Sequence, residues 1–210
     1  MKGQTVILIL AAGKSSRLGE PKQLLPWGDT TLLGNAIKQA LGVPDVTVYV
    51  VVGAYKERIQ KEIEKYKVQQ IYNPKWEQGI GSSIACGVKE IEASMSCERL
   101  VIALADQPFV TGNYLQELLE NFQKEGAAIM ATTYKDVAGV PVVFSKSYFY
   151  ELQQLKGDKG AKSLIYKHKS VVKYCDVVSE FQDIDTVEAY HKLKKRWDAQ
   201  ENKKSSSNKK

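Results

Sequence analysis

Apolar and polar residues alternate along the chain in blocks that predict strands followed by helices. The runs VILIL, VTVYVVV and LVIALA are continuously apolar, which is typical of strands buried on both faces of a parallel sheet. The predicted strands are Thr5–Leu10, Val46–Val52, Val68–Tyr72, Leu100–Ala105, Ala127–Thr133, Val140–Phe144 and Val171–Asp176. The predicted helices are Leu32–Leu41, Tyr55–Tyr66, Ser82–Ala93, Asn113–Glu125, Lys146–Leu155, Ala161–His168 and Thr186–Asp198. This order predicts an α/β fold: a single-domain, Rossmann-like, doubly wound and mostly parallel sheet flanked by helices.

The positive charge of the chain is concentrated at its end. The 210 residues carry a net charge of +6, and the segment from Lys192 onward accounts for it with eight basic and two acidic side chains. The preceding 191 residues carry 22 basic and 22 acidic side chains, so the body of the protein is neutral. We therefore expect a domain over residues 1–198 and a basic, disordered tail over residues 199–210. A basic tail can touch nucleic acid or anionic lipid, but a solvated end is the more common case, and the body lacks a basic stripe with interleaved aromatic residues. We expect neither nucleic acid nor membrane as a partner.

Two further features narrow the class of protein. The apolar start is too short to cross a bilayer and lacks the layout of a signal peptide, so a cytoplasmic protein is expected. Cys86, Cys97 and Cys175 stand singly, and His168 and His191 are the only histidines. A zinc site is therefore improbable, and any metal would be held by carboxylates, which favours Mg²⁺.

The most informative segment follows the first predicted strand. The strand stops at Ala11-Ala12-Gly13, and a loop then carries Arg17 and Lys22. Small residues let the backbone approach a ligand closely, and the two cations suit a triphosphate. The loop matches neither GxxxxGK[ST] nor GxGxxG, and a plain strand-to-helix connection is the structural alternative.

Other chemistry-bearing residues also follow predicted strands. Asn73 opens a segment that leads through Gly81 and Ser82 into a helix, and Asp106 ends the run LVIALAD. Ligands of doubly wound sheets bind beyond the carboxyl ends of the strands, so these residues are expected at one edge. Asp106 is either a turn-capping residue or a Mg²⁺ ligand, and Ser82 is either a helix cap or a nucleotide contact.

Several motifs together resemble one family. The pattern LxAGxSxRxGxxK, the continuation KQLLPW, the segment NPxWxxGxGSS, the motif ADQP and the late segment DIDT occur in the order seen in MobA-like NTP transferases. The resemblance is closest to the molybdenum cofactor cytidylyltransferase branch. It implies a GT-A-like fold, CTP and a phosphorylated acceptor such as Mo-molybdopterin as substrates, Mg²⁺ as cofactor, and a recipient molybdoenzyme or its chaperone as a possible partner.

The resemblance also implies roles for individual residues. The implied catalytic residues are Arg17, Lys22 and Asp106; the implied nucleotide-binding residues are Leu10, Ala11, Ala12, Gly13, Lys22, Asn73, Gly81 and Ser82; and the implied metal ligands are Asp106 and Asp185. Asp185 is preferred over Asp183, although Asp185 or Thr186 could equally cap the last helix. The segments Gly139–Phe144 and Leu155–Ala161 resemble the acceptor side of the family's cleft, while GDKGAK is also a plausible ordinary loop.

Two other functions stay open at this point. A sugar- or alditol-phosphate nucleotidyltransferase would share the loop and the aspartates, because only its substrates differ. A non-catalytic nucleotide- or cofactor-binding protein on the same fold would keep affinity without releasing pyrophosphate. No hydrogen-bond pattern in the sequence chooses the base.

Overall fold

A computed structural model of the protein describes residues 4–15, 19–134, 137–177 and 181–207. The strands are β1 (Gln4–Leu10), β2 (Pro26–Trp27), β3 (Thr30–Thr31), β4 (Val46–Val52), β5 (Gln69–Tyr72), β6 (Cys97–Leu104), β7 (Ile129–Tyr134), β8 (Val137–Ser145) and β9 (Val172–Asp176). The α-helices are α1 (Leu32–Leu41), α2 (Lys56–Ile63), α3 (Ile80–Ser94), α4 (Gly112–Lys124), α5 (Phe149–Gln153), α6 (Ala161–Lys167) and α7 (Val187–Ser207).

The central sheet has seven strands in the order β5-β4-β1-β6-β8-β7-β9. Strands β5, β4, β1 and β6 are parallel neighbours, as are β7 and β9, and helices cover the sheet. The predicted fold class is therefore confirmed. Strand β8 runs antiparallel to both β6 and β7, because it follows β7 after only two residues, too few for the helical crossover that a parallel pair needs.

The continuous apolar runs are buried on both faces, as predicted. Val6, Ile7, Leu8 and Ile9 of β1 are all fully buried. Val6 and Leu8 pack into the cluster that contains α3 residues, whereas Ile7 and Ile9 pack into the cluster on the opposite face that contains residues of α1 and α4. The alternation of side chains along a strand sends successive residues to these two layers.

Threonine side chains cap the first turns of α1, α4 and α7. Thr31 caps α1 by accepting a hydrogen bond from the Gly34 N–H at 2.9 Å, and Thr111 caps α4 by accepting one from Tyr114 at 3.2 Å. Thr186 caps α7 in the same way through Ala189 at 3.1 Å. Of the two residues considered for this last cap, the structure uses Thr186.

The last helix runs past its predicted end at Asp198 and continues to Ser207. The division into a domain of residues 1–198 and a disordered tail stays a prediction. The small ribbon of β2 and β3 was not predicted, because strands of two residues leave no periodic signal. Within the described ranges, no helix is both long enough and apolar enough to cross a membrane.

Candidate active site

The loop after β1 lies beside the carboxyl end of the neighbouring strand β4. The Ala11 N–H donates to the carbonyl of Val51 at 2.9 Å, and the Ala12 carbonyl accepts from Ala54 at 3.0 Å. The N–H groups of Ala12 and Gly13 make no hydrogen bond to any residue that the structure describes. A Cβ added at Gly13 would meet nothing within 4 Å. The loop therefore presents open space and free N–H donors, which suits an anion.

The buried side chain of Gln23 holds this loop by hydrogen bonds to its backbone. Its side-chain amide donates to the carbonyls of Ala11 at 3.0 Å and Gly13 at 2.8 Å, and the residue is only 2% exposed. Sequence patterns did not predict this contact, because Gln23 occurs in them only as one residue of a motif. The available signal was a single amide inside a largely apolar stretch, KQLLPW.

Lys22 lies between two carboxylates from distant parts of the chain. Its Nζ forms a short ion pair with Asp106 Oδ2 and lies 2.8 Å from Asp185 Oδ1. Burial alone would lower the pKa of Lys22, but the charges of Asp106 and Asp185 and its hydrogen bonds to them outweigh burial and raise the pKa. Lys22 therefore stays positively charged, and three residues predicted for the site are brought together.

The two aspartates fit a divalent cation. Asp106 Oδ1 is buried and has no hydrogen-bond partner among the described residues. A cation, the Lys22 ammonium, already lies between Asp106 and Asp185. Within the described part of the chain, no group of three or more His, Cys, Asp and Glu side chains could form a metal site. Mg²⁺ is commonly held by one or two protein carboxylates together with substrate phosphates and water, which matches this donor set.

Asp183 is a third carboxylate beside this pair. Gln107 Nε2 donates to its Oδ1 at 2.8 Å. Desolvation in the cleft, and then the negative charge of Asp106, raise the pKa of Asp183 to about 6. Asp183 lines a cavity next to this site, whereas Asp185 contacts Lys22.

An aromatic cluster joins α7 to the segment that follows Lys22. The Trp27 ring lies 5.4 Å from Trp197 and 5.9 Å from Phe109, measured between ring centroids. The Tyr190 hydroxyl donates to the carbonyl of Pro26 at 2.8 Å. Since α7 begins just after Asp185, these contacts hold Asp185 beside Lys22.

Asn73 organises the turn that leads into α3. Its Nδ2 donates to the hydroxyls of Ser82 and Ser83, both at 3.0 Å, and its Oδ1 accepts from the Lys75 N–H at 2.9 Å. The side chain is 1% exposed and its hydrogen bonds stay within the protein. Direct contacts of Asn73 and Ser82 with a nucleotide stay predictions.

Gly81 allows the loop after α5 to approach α3. Its N–H donates to the Gly157 carbonyl at 2.9 Å, and an added Cβ would lie 2.7 Å from the Lys159 carbonyl oxygen. The predicted acceptor segment LKGDKGA therefore packs on the beginning of α3. A nucleotide-binding role for Gly81 stays a prediction.

A cavity of about 600 Å³ opens between this loop and β8. Leu10, Ile84 and Val140 give it an apolar wall, and Asp183 and Lys162 place opposite charges on its lining. The segment Gly139–Phe144 contributes its first residues to this wall, whereas Val142, Val143 and Phe144 are buried in the core. Arg17, predicted to grip phosphate, lies outside the described residues.

Comparison with known proteins identifies the family. The family model described as the MobA-like NTP transferase domain matches residues 7–171, which include the loop, Asn73 and Asp106. The chain belongs to the MobA-like NTP transferase family. As a member of this family, the protein is a nucleotidyltransferase.

Two known proteins are similar to this chain over most of its length. The purine catabolism protein PucB of Bacillus subtilis is 29% identical over 199 residues, which cover 90% of this chain and 95% of PucB. The molybdenum cofactor cytidylyltransferase of Escherichia coli is 25% identical over 193 residues, with the same coverage of both chains.

A solved structure has the same fold. Rv0371c from Mycobacterium tuberculosis superposes with a TM-score of 0.81 at 28% identity, covering 93% of this chain and 100% of Rv0371c. A second crystal structure of Rv0371c is a complex with manganese and superposes with a TM-score of 0.78. Divalent metals are typical of this family of nucleotidyltransferases.

Proposed function

We propose that the protein transfers a cytidylyl group from CTP to a phosphorylated acceptor, with Mo-molybdopterin as the preferred acceptor. The products are molybdopterin cytosine dinucleotide and pyrophosphate. The observation that carries this proposal is Lys22 held between Asp106 and Asp185 beside a loop with free N–H groups. The likeness to the E. coli cytidylyltransferase supports the choice of nucleotide and acceptor.

The residues of the site would act by binding and by electrostatics. The loop Leu10 to Gly13 approaches the nucleotide with its backbone, and Lys22, together with Arg17, neutralises the triphosphate. Asp106 and Asp185 would hold Mg²⁺, which, when bound, stabilises the charge that develops on the phosphate oxygens. The acceptor phosphate attacks the α-phosphorus and pyrophosphate leaves, so no protein nucleophile is required.

The cavity beside the site supports an acceptor larger and more apolar than a simple sugar phosphate. Its wall of Leu10, Ile84 and Val140 suits a flat ring system, while Lys162 can meet a negative group. Asp183 can accept hydrogen bonds from ring N–H groups. A sugar- or alditol-phosphate acceptor would leave this apolar wall without a partner.

The product of this reaction is a cofactor, so its recipient would be a molybdoenzyme or its chaperone. We place this transfer in the cytoplasm. Neither nucleic acid nor membrane is needed as a partner.

The decisive experiment measures pyrophosphate release with Mo-molybdopterin and each of CTP, GTP, UTP and ATP in the presence of Mg²⁺. CTP should be preferred, and Asp106→Asn should abolish release while the thermal unfolding midpoint stays close to that of the wild type. Asp29→Asn is the matched control, because it makes the same change in an aspartate that forms an exposed ion pair with Lys38. A preference for UTP or ATP would refute the cytidylyl assignment, and nucleotide binding without pyrophosphate release would favour a non-catalytic carrier.

A further inference from the structure

Gln23 is a buried amide whose donors and acceptor all serve the loop after β1. Both amide hydrogens are used, one on the Ala11 carbonyl and one on the Gly13 carbonyl. The Oε1 atom accepts the hydroxyl of Ser15 at 3.4 Å, near the upper limit for a hydrogen bond. A glutamine that is 2% exposed thus contacts three of the five residues from Ala11 to Ser15.

These bonds determine which way the loop carbonyls point. A carbonyl oxygen that faces Gln23 cannot face the open side of the loop, where a triphosphate would lie. In a planar peptide the N–H points away from the carbonyl, so the bonds to the Ala11 and Gly13 carbonyls turn the N–H groups of Ala12 and Lys14, which have no described partner, toward an anion. Without Gln23, rotation of a single peptide would turn a partial negative charge toward the phosphates.

Ser15 connects these hydrogen bonds of Gln23 to the backbone of Lys22. The Ser15 hydroxyl accepts a hydrogen bond from the Lys22 N–H at 3.1 Å, and Ser15 adopts a left-handed conformation with φ of 56°. This conformation is uncommon for a non-glycine residue and requires support from its surroundings. Gln23 and Ser15 therefore connect the loop to the turn that carries the lysine.

We propose that Gln23 is a positioning residue that presets the loop Ala11 to Ser15 for nucleotide binding. It acts through the backbone and does not touch the substrate. The proposal rests on the nucleotide-binding function proposed above, and it assigns the preorganisation of that site to one side chain. Preorganisation raises affinity because the ordering cost is met before the ligand arrives.

The test replaces Gln23 by methionine, which has a similar length and volume but neither amide donor. Gln39→Met is the matched control, because Gln39 Oε1 also accepts a backbone hydrogen bond, from Gly112 at 2.8 Å, without contacting the loop. Both variants are compared with the wild type by thermal unfolding, by calorimetric titration with CTP and Mg²⁺, and by amide hydrogen exchange over residues 11–25 without nucleotide.

We expect Gln23→Met to raise the Kd for CTP about tenfold, which corresponds to about 1.4 kcal/mol. Hydrogen exchange over residues 11–25 should be faster in the nucleotide-free variant. The KM for CTP should rise by more than kcat falls, because the interaction acts on binding. Gln39→Met should lower the unfolding midpoint and leave the Kd and the local exchange unchanged.

The inference would be overturned by an unchanged Kd in Gln23→Met, or by unchanged exchange over residues 11–25 despite the lost hydrogen bonds. Equal weakening of nucleotide binding by Gln39→Met would also overturn it, since the effect would then be one of general stability. If the wild type bound none of the four nucleotides, the proposed function would fail. In that case the exchange data alone would decide whether Gln23 orders the loop.

Discussion

Replacing Lys22 by methionine is expected to tighten the binding of a divalent metal to the nucleotide-free protein. The Lys22 ammonium lies between Asp106 and Asp185, the two carboxylates assigned to the metal. A metal ion that arrives alone must displace this ammonium, whereas a metal that arrives with a triphosphate brings new anionic partners for Lys22. Methionine keeps the length of the side chain and removes the competing charge.

The geometry sets the scale of this effect. The Nζ of Lys22 lies 2.8 Å from Asp185 Oδ1, and Coulomb's law with the dielectric constant of water gives ~1.5 kcal/mol at that distance. The water value suits this pair because the Asp185 side chain is 54% exposed. About 1.4 kcal/mol is a factor of ten, so the Kd for the metal should fall about tenfold or more. The pair with Asp106 is more buried and adds to this effect.

The assay is a titration of nucleotide-free protein with Mn²⁺, with free Mn²⁺ followed by its electron paramagnetic resonance signal. Lys162→Met is the matched control, because it removes the same charge from the neighbouring cavity without touching the carboxylates. Lys22→Met should bind Mn²⁺ more tightly and CTP more weakly than the wild type. An unchanged or weaker affinity for Mn²⁺ in Lys22→Met would refute the reasoning.

Three further substitutions test other parts of the site. Gly13→Ala should leave the unfolding midpoint unchanged, because an added Cβ meets nothing within 4 Å, but it should weaken nucleotide binding in calorimetry. Gly53→Ala should lower the free energy of unfolding by roughly 1–3 kcal/mol in chemical denaturation, because the new Cβ would lie 2.4 Å from Trp76 Cβ. The pKa of about 6 at Asp183 exceeds the ordinary aspartate value of 3.8, so the wild type loses stability as the pH rises through this interval. The free energy of unfolding of Asp183→Asn, relative to that of the wild type, should therefore rise by on the order of 1 kcal/mol between pH 4 and pH 7, a value reduced for solvent screening. A constant difference between the two proteins across this range would contradict the assignment.

The parts of the fold that depend on local patterns were predictable from the sequence. The apolar runs of β1, β4 and β6 indicated strands buried on both faces, and Thr186 was one of two candidates for the cap of the last helix. The position of Asp106 followed from the rule that ligands bind at the carboxyl ends of parallel strands. Its meeting with Asp185 required the family resemblance, because no local pattern connects residues so far apart.

The direction of β8 and the role of Gln23 were not predictable in the same way. The run VPVVF has the same apolar character in a parallel and in an antiparallel strand, so its composition says nothing about direction. A glutamine beside a lysine is usually a surface residue, and only the folded chain brings its amide to the carbonyls of Ala11 and Gly13. For Asn73, the sequence suggested a ligand contact, while the structure shows its hydrogen bonds used inside the protein.

The cluster of Trp27, Phe109, Tyr190 and Trp197 has a consequence for the order in which the site is built during synthesis. Lys22 and Asp185 are separated by 163 positions in the sequence. The aromatic rings hold together the segment that follows Lys22 and the helix α7 that follows Asp185. A ribosome-bound chain can form β1 and its loop early, but it has no second carboxylate to offer a metal until Asp185 has emerged. Lys22 therefore gains its second carboxylate only after the segment before the last helix has emerged and the aromatic rings have packed together.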